Sequence, residues 1–63
     1  MPIVELTLIE GRSHRQKADA VKAVTQALVE SLGAPPESVR VIIREIPPEH
    51  FAVAGVLKKP PAS

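Results

Sequence analysis

Apolar residues fall into two patterns along this chain, and the switch between them outlines the fold. Residues 2–9 place Val4, Leu6 and Leu8 on one face of an extended segment and Ile3, Glu5, Thr7 and Ile9 on the other. That period of two predicts a strand. Glu10-Gly11-Arg12 then reads as a turn. Ser13-His14-Arg15-Gln16 fits a capping box, with Ser13 as N-cap and Gln16 reaching back. The period now lengthens to that of a helix over 14–32. Val21, Val24, Leu28 and Leu32 form its apolar stripe, with Ala18, Thr25 and Val29 at the edge and Asp19, Lys22, Gln26 and Glu30 opposite. Gly33 suits the C-cap, and Pro35-Pro36 forbids continuation. Ala20, Ala23, Ala27 and Ser31 form a small-residue flank, which fits either a close neighbouring subunit or simply the high helix propensity of alanine. Over 38–46 the period returns to two: Val39, Val41 and Ile43 share one face, and Arg40, Ile42, Arg44 and Ile46 the other. Pro47-Pro48 ends this strand, 51–57 reads as a short hairpin or arm around Gly55, and 58–63 reads as a mobile tail.

Strand, helix, strand at this length is a βαβ unit with parallel strands and a right-handed crossover. The expected class is therefore α/β (α+β), a single domain over 1–63. One helix covers one face of such a sheet. Both strands, however, are apolar on both faces, so Ile3 and Ile9, or Ile42 and Ile46, would be wet in a monomer. A two-stranded parallel sheet is also too small to stand alone. The pattern thus predicts a sheet completed by association with other chains.

Composition narrows the function. There is no cysteine among the 63 residues, which removes disulfides and cysteine-based zinc sites. Only two histidines are present, His14 and His50, far apart in sequence. Eight basic residues against seven acidic ones, with Phe51 the single aromatic, leave neither a basic stripe nor a stacking platform for nucleic acid. No apolar run reaches the about 20 residues of a membrane span, and no signal peptide is visible, so a cytoplasmic protein is expected. The three glycines are isolated, which excludes a glycine-rich phosphate loop.

What chemistry remains gathers around Pro2, Arg12 and Arg40. Loss of Met1, usual before a small residue, would leave Pro2 as a secondary amine with a lone pair. An α-amino group titrates at about 7.7–8.0, and an apolar pocket or nearby arginines would lower that value toward a base poised near neutrality. Alternatively Pro2 is simply a proline tolerated at the start of a strand. Arg12, next to a helix N-terminus, suits a carboxylate ligand, or is an exposed loop arginine. Arg40, between Val39 and Val41, must pair or reach a cavity; the other reading is an inter-subunit ion pair with Glu45 or Glu49. Arg44 is read as the more solvated of the two. Phe51 is a wall that dries a pocket, or plain filler, and His50 reads as a structural histidine.

Taken together, Met-Pro-Ile at the start, Leu-Ile-Glu-Gly-Arg at 8–12, Ser13 with Gln16-Lys17, Ser-Val-Arg-Val-Ile-Ile at 38–43 and His50-Phe51 carry a resemblance to the 4-oxalocrotonate tautomerase family. The similarity spans about residues 2–57. It implies a βαβ protomer with a C-terminal hairpin, assembled as a hexamer (a trimer of dimers), homo-oligomeric and without cofactor or metal. It implies an isomerase for 2-hydroxymuconate or a similar unsaturated 2-hydroxy dicarboxylate, in aromatic hydrocarbon catabolism. Pro2 would be the base and Arg12 would bind the remote carboxylate. Arg40, typically from a neighbouring subunit, would hold the 2-oxo oxygen and nearby carboxylate. Phe51 and Ile9 would form the apolar wall. Ala52 and Ala54 stand where the family often has glycines, and Val56 where a polar residue is common. Val53 occupies the position at which dehalogenating relatives carry an acid, which argues against hydration chemistry. The alternatives are a non-catalytic assembly subunit, expected if Met1 is retained, or a dehalogenase- or decarboxylase-type relative.

Overall fold

The computed structural model describes residues 1–58. Strand β1 (Ile3–Ile9) leads into helix α1 (His14–Leu32), which returns the chain to strand β2 (Arg40–Ile46). Two short strands, β3 (Ala52–Val53) and β4 (Val56–Leu57), are the last elements among the described residues. β1 and β2 pair in parallel from Ile3↔Arg40 to Ile9↔Ile46, and β3 and β4 form a separate antiparallel hairpin. This is the mixed βαβ-plus-hairpin architecture that the periodicity predicts.

Local chemistry sets the helix ends. The Ser13 side chain accepts from the Gln16 N–H at 3.1 Å, while the Gln16 side chain accepts from the Ser13 N–H at 2.9 Å. Two otherwise unpaired amides are thereby satisfied. At the other end Gly33 takes a left-handed φ of 69° and its N–H reaches the Val29 carbonyl at 3.1 Å.

The strand boundaries move slightly inward from the expected 2–9 and 38–46. Pro2 has no N–H to place in a ladder, although its carbonyl accepts from the Arg40 N–H at 3.0 Å. Residues 36–38 instead form a 3₁₀ turn, in which the Ser38 and Val39 amides bond Pro35 and Pro36. Pro36 at the first position of that turn pre-sets its φ. A second 3₁₀ turn spans Pro48–His50, and the Pro47–Pro48 bond is trans. The tail expected over 58–63 lies, from residue 59 on, outside the described residues.

No described residue is fully buried. The Cα radius of gyration is 15.1 Å, against about 11 Å for a compact chain of this length. The helix half-buries Lys17, Ala20, Val21, Val24, Thr25, Leu28 and Val29 against the sheet. Two positions differ from the expected stripe. Leu32 remains 64% exposed, and Ala18 is exposed while Ala20 turns partly inward. The uncovered face of the sheet behaves as the pattern requires for Ile3 and Ile42, which are 60% and 43% exposed. Ile9 and Ile46, also expected to be wet, are half-buried, because Phe51 and Lys58 from the chain following β2 line the same cleft as these two isoleucines. The open apolar surface at Ile3, Ile42 and the hairpin leaves a face for another surface to cover.

Candidate active site

The residues singled out by their chemistry divide between the two ends of the β1–β2 sheet. At the start of the strands, Pro2 is half-buried and tied to Arg40 through the backbone bond just described. The Arg40 guanidinium donates to the Glu37 carbonyl at 2.6 Å, which turns it back along the chain. Within one chain, Arg40 takes part in none of the ion pairs among the described residues, and the Glu45 carboxylate accepts from Lys17 at 3.0 Å. Arg44, read as the more solvated of the two, is exposed but pairs with Glu5 across the uncovered face.

At the far end of the strands, Ile9, Ile46, Phe51, Glu10, Arg12 and Lys58 line much of a cleft of about 630 Å³. Three local features build it. The Glu10 N–H bonds the Ile46 carbonyl at 2.9 Å, extending the ladder one step past β1. Gly11 then adopts φ 130°, a region that L side chains rarely enter, and sends the chain from β1 toward the helix with Arg12 at the corner. Finally, the Lys58 N–H bonds the Phe51 carbonyl at 2.7 Å, which closes the base of the hairpin beside the cleft. Arg12 donates to the Ile9 carbonyl at 3.3 Å. A guanidinium has five donors, so most of its capacity faces outward, available to an anion.

Thus Ile9, Arg12 and Phe51 are brought together, and Pro2 and Arg40 are brought together, but the two groups are not joined within one chain. Ile9 lies seven positions of extended chain beyond Pro2, a span of roughly 23 Å. Sequence reasoning missed Ile46 and Lys58 as cleft residues. The parity of Ile46 with Arg40 and Ile42 placed it on the right face. Nothing in the local pattern marked Lys58, which reads as the first residue of a tail. His50 closes its turn through the backbone and is exposed.

A second cleft, of about 430 Å³, lies between the first turns of α1 and β2. Its charged rim is the Lys17–Glu45 pair, so its cation and anion are already matched. Among the described residues no group of three or more His, Cys, Asp or Glu is placed to hold a metal ion. No helix among them is long and apolar enough to cross a membrane.

The fold is thus a half-open βαβ unit with a cleft lined by Arg12, Lys58 and apolar residues at one end and a strand-leading proline beside an arginine at the other. Comparison with known proteins places this fold in a family. Residues 2–60 match the family model described as tautomerase enzyme, and the chain belongs to that family. It is 57% identical over 58 residues to a protein of Ralstonia nicotianae named a probable tautomerase, covering 92% of this chain and 83% of that one. It is 46% identical to the 2-hydroxymuconate tautomerase of Comamonas testosteroni, with 94% of each covered. Among solved structures, a heterohexamer 4-oxalocrotonate tautomerase from Chloroflexus aurantiacus superposes with a TM-score of 0.89 at 38% identity, covering 92% of this chain and 94% of that one. The similarity to 4-oxalocrotonate tautomerases suggested by the residue pattern is therefore shown, as is the fold.

Proposed function

We propose that the protein is an isomerase that interconverts the enol and keto forms of a small unsaturated 2-hydroxy dicarboxylate such as 2-hydroxymuconate. The base is the secondary amine of Pro2, exposed by removal of Met1. It accepts the proton released as the 2-hydroxyl becomes a 2-oxo group and returns one to carbon farther along the conjugated chain. The isomerisation balances with no cofactor. Arg40 holds the 2-oxo oxygen and its neighbouring carboxylate, and Arg12 binds the remote carboxylate and draws electron density toward it. Ile9 and Phe51 keep the site dry, so both cations act at low dielectric.

The observation that carries this reading is the division of the residues between the two ends of one sheet. On this reading each end supplies half of a site for a dianion: Pro2, once freed as an amine, with Arg40 at one, and the apolar-walled cleft with Arg12 at the other. Separate copies of the chain, packed so that opposite ends meet, would unite the halves and cover Ile3 and Ile42. The proposed assembly is a homo-hexamer built as a trimer of dimers. The same reading places the protein in the cytoplasm, in the catabolism of aromatic compounds.

Steady-state assay with 2-hydroxymuconate and phenylenolpyruvate, on protein whose intact mass shows Met1 removed, tests the proposal. Pro2→Ala is expected to lower kcat/KM by about 10²–10⁴-fold, the usual contribution of a positioned base. A variant as active as the parent, or an active parent that retains Met1, sinks the assignment of the base.

A further inference from the structure

Arg12 is not the only cation in its cleft. Lys58 lines the same space, held there by its backbone bond to Phe51. Among the described residues the ion pairs are Arg15–Asp19, Lys17–Glu45 and Arg44–Glu5, and neither Arg12 nor Lys58 takes part in one. Glu10, the one carboxylate on this cleft, is not paired with either cation. The rest of the wall is mostly apolar, with Leu8, Ile9, Ile46 and Phe51. Two cations with no close ion-pair partner, offset only in part by Glu10, stand against an apolar wall, and the natural complement of such a site is an anionic group on a hydrocarbon stem. Arginine and lysine contribute differently to such a site. The guanidinium fork fixes a carboxylate in plane, while the ammonium adds a point charge on a flexible stem that reaches the outer lone pairs.

We infer that Lys58 is a second anchor for the remote carboxylate, a residue that makes the Arg12 cleft prefer dianionic ligands over monoanionic ones. This rests on reading the Arg12 cleft as a carboxylate site, and adds to it a residue on a different element. Arg12 stands on the turn before α1, whereas Lys58 follows β4. The hairpin thus joins the recognition of the substrate's far end, beyond supplying a wall.

Equilibrium binding separates this assignment from the catalytic one. The probes are trans,trans-muconate, an unreactive dicarboxylate, and phenylpyruvate, whose one carboxylate adjoins its oxo group and whose other end is uncharged. Calorimetry on the processed, assembled protein should show Lys58→Met weakening muconate by about two- to fivefold, the scale of a partly solvated ion pair. Phenylpyruvate should bind unchanged. Lys58→Arg should restore muconate affinity, and Lys22→Met, which removes the same charge from the solvated face of α1, should leave it unchanged. Muconate binding unaffected by Lys58→Met, weakened equally by Lys22→Met, or absent from the parent protein would overturn the assignment, as would an equal loss for phenylpyruvate. A parent protein that binds muconate in this manner but fails to isomerise 2-hydroxymuconate would refute the proposed reaction and leave the role of Lys58 standing.

Discussion

The two ends of the β1–β2 sheet are built on opposite plans. The Pro2–Arg40 end is open: a strand-leading proline, a backbone bond, and an arginine folded back on the Glu37 carbonyl. The Arg12 end is partly walled, because the chain after β2 doubles back and adds Phe51 and Lys58 to the sheet's own Ile9 and Ile46. The Arg12 end therefore has walls of its own within a single chain. The open end carries Pro2 and Arg40 but has no enclosure within the chain. Under the proposed function, the Pro2 end is the half that depends on assembly. If copies pack so that opposite ends meet, the enclosed end of one lends its dry wall to the reactive end of another.

The sharpest way to break this comparison is to mix inactive copies. Pro2→Ala and Arg12→Ala proteins, denatured together in equal amounts and refolded, should regain activity at about a quarter of the sites if proline and arginine come from different chains. Activity no greater than the sum of the two separate variants would mean that no site draws on both chains, and the proposed geometry fails.

Next in size are the two arginines. Arg12→Ala should cost about ten- to a hundredfold in kcat/KM with 2-hydroxymuconate, the range expected for a hydrogen bond to a charged group in a dry site. With phenylenolpyruvate, which has no remote carboxylate, it should cost little. Arg40→Ala should harm both substrates. Equal losses at both arginines with both substrates would erase the division of labour between the ends.

The smallest effect concerns the hairpin that encloses the Arg12 end. Its two-residue turn places Ala54 at φ 52° and Gly55 at φ 82°. Positive φ at both turn positions matches the twist of paired strands, but an alanine there carries a strain of about 1 kcal/mol. Ala54→Gly should therefore stabilise the hairpin by up to about that amount, less the entropy that glycine brings to the unfolded chain. Slower amide exchange at Val56 and Lys58 would reveal it. Faster exchange would show that the turn gains nothing from the substitution.

How far the chain could be read in advance depends on distance along it. The helix was legible to its termini, because a capping box and a glycine C-cap are contests among residues at most a few positions apart. The parallel direction of the two strands followed from alternation in two segments joined by a helix, while their register came only with the structure. The start of β2 was misplaced by two residues, since a 3₁₀ turn and an extended strand are both open to Ser38-Val39 and only the bonds to Pro35 and Pro36 choose between them. Leu32 had the right period but lies too near the helix end to gain cover. Of the residues that line the Arg12 cleft, Arg12 and Phe51 were singled out by residue type and Ile9 through the family resemblance, whereas Ile46 and Lys58 were not singled out.

Periods of two and of 3.6, the cap residues and the excess of apolar positions over available cover were all written in the linear order of the residues, because each depends on neighbours within one turn or one pleat. Those same features already demanded a surface outside the chain. Which candidate residues meet, and which stay about 23 Å apart, followed from how the segments return on one another. That choice is made by the parallel register and by the path of the chain beyond β2, where contacts join residues with nothing between them in the sequence to signal it.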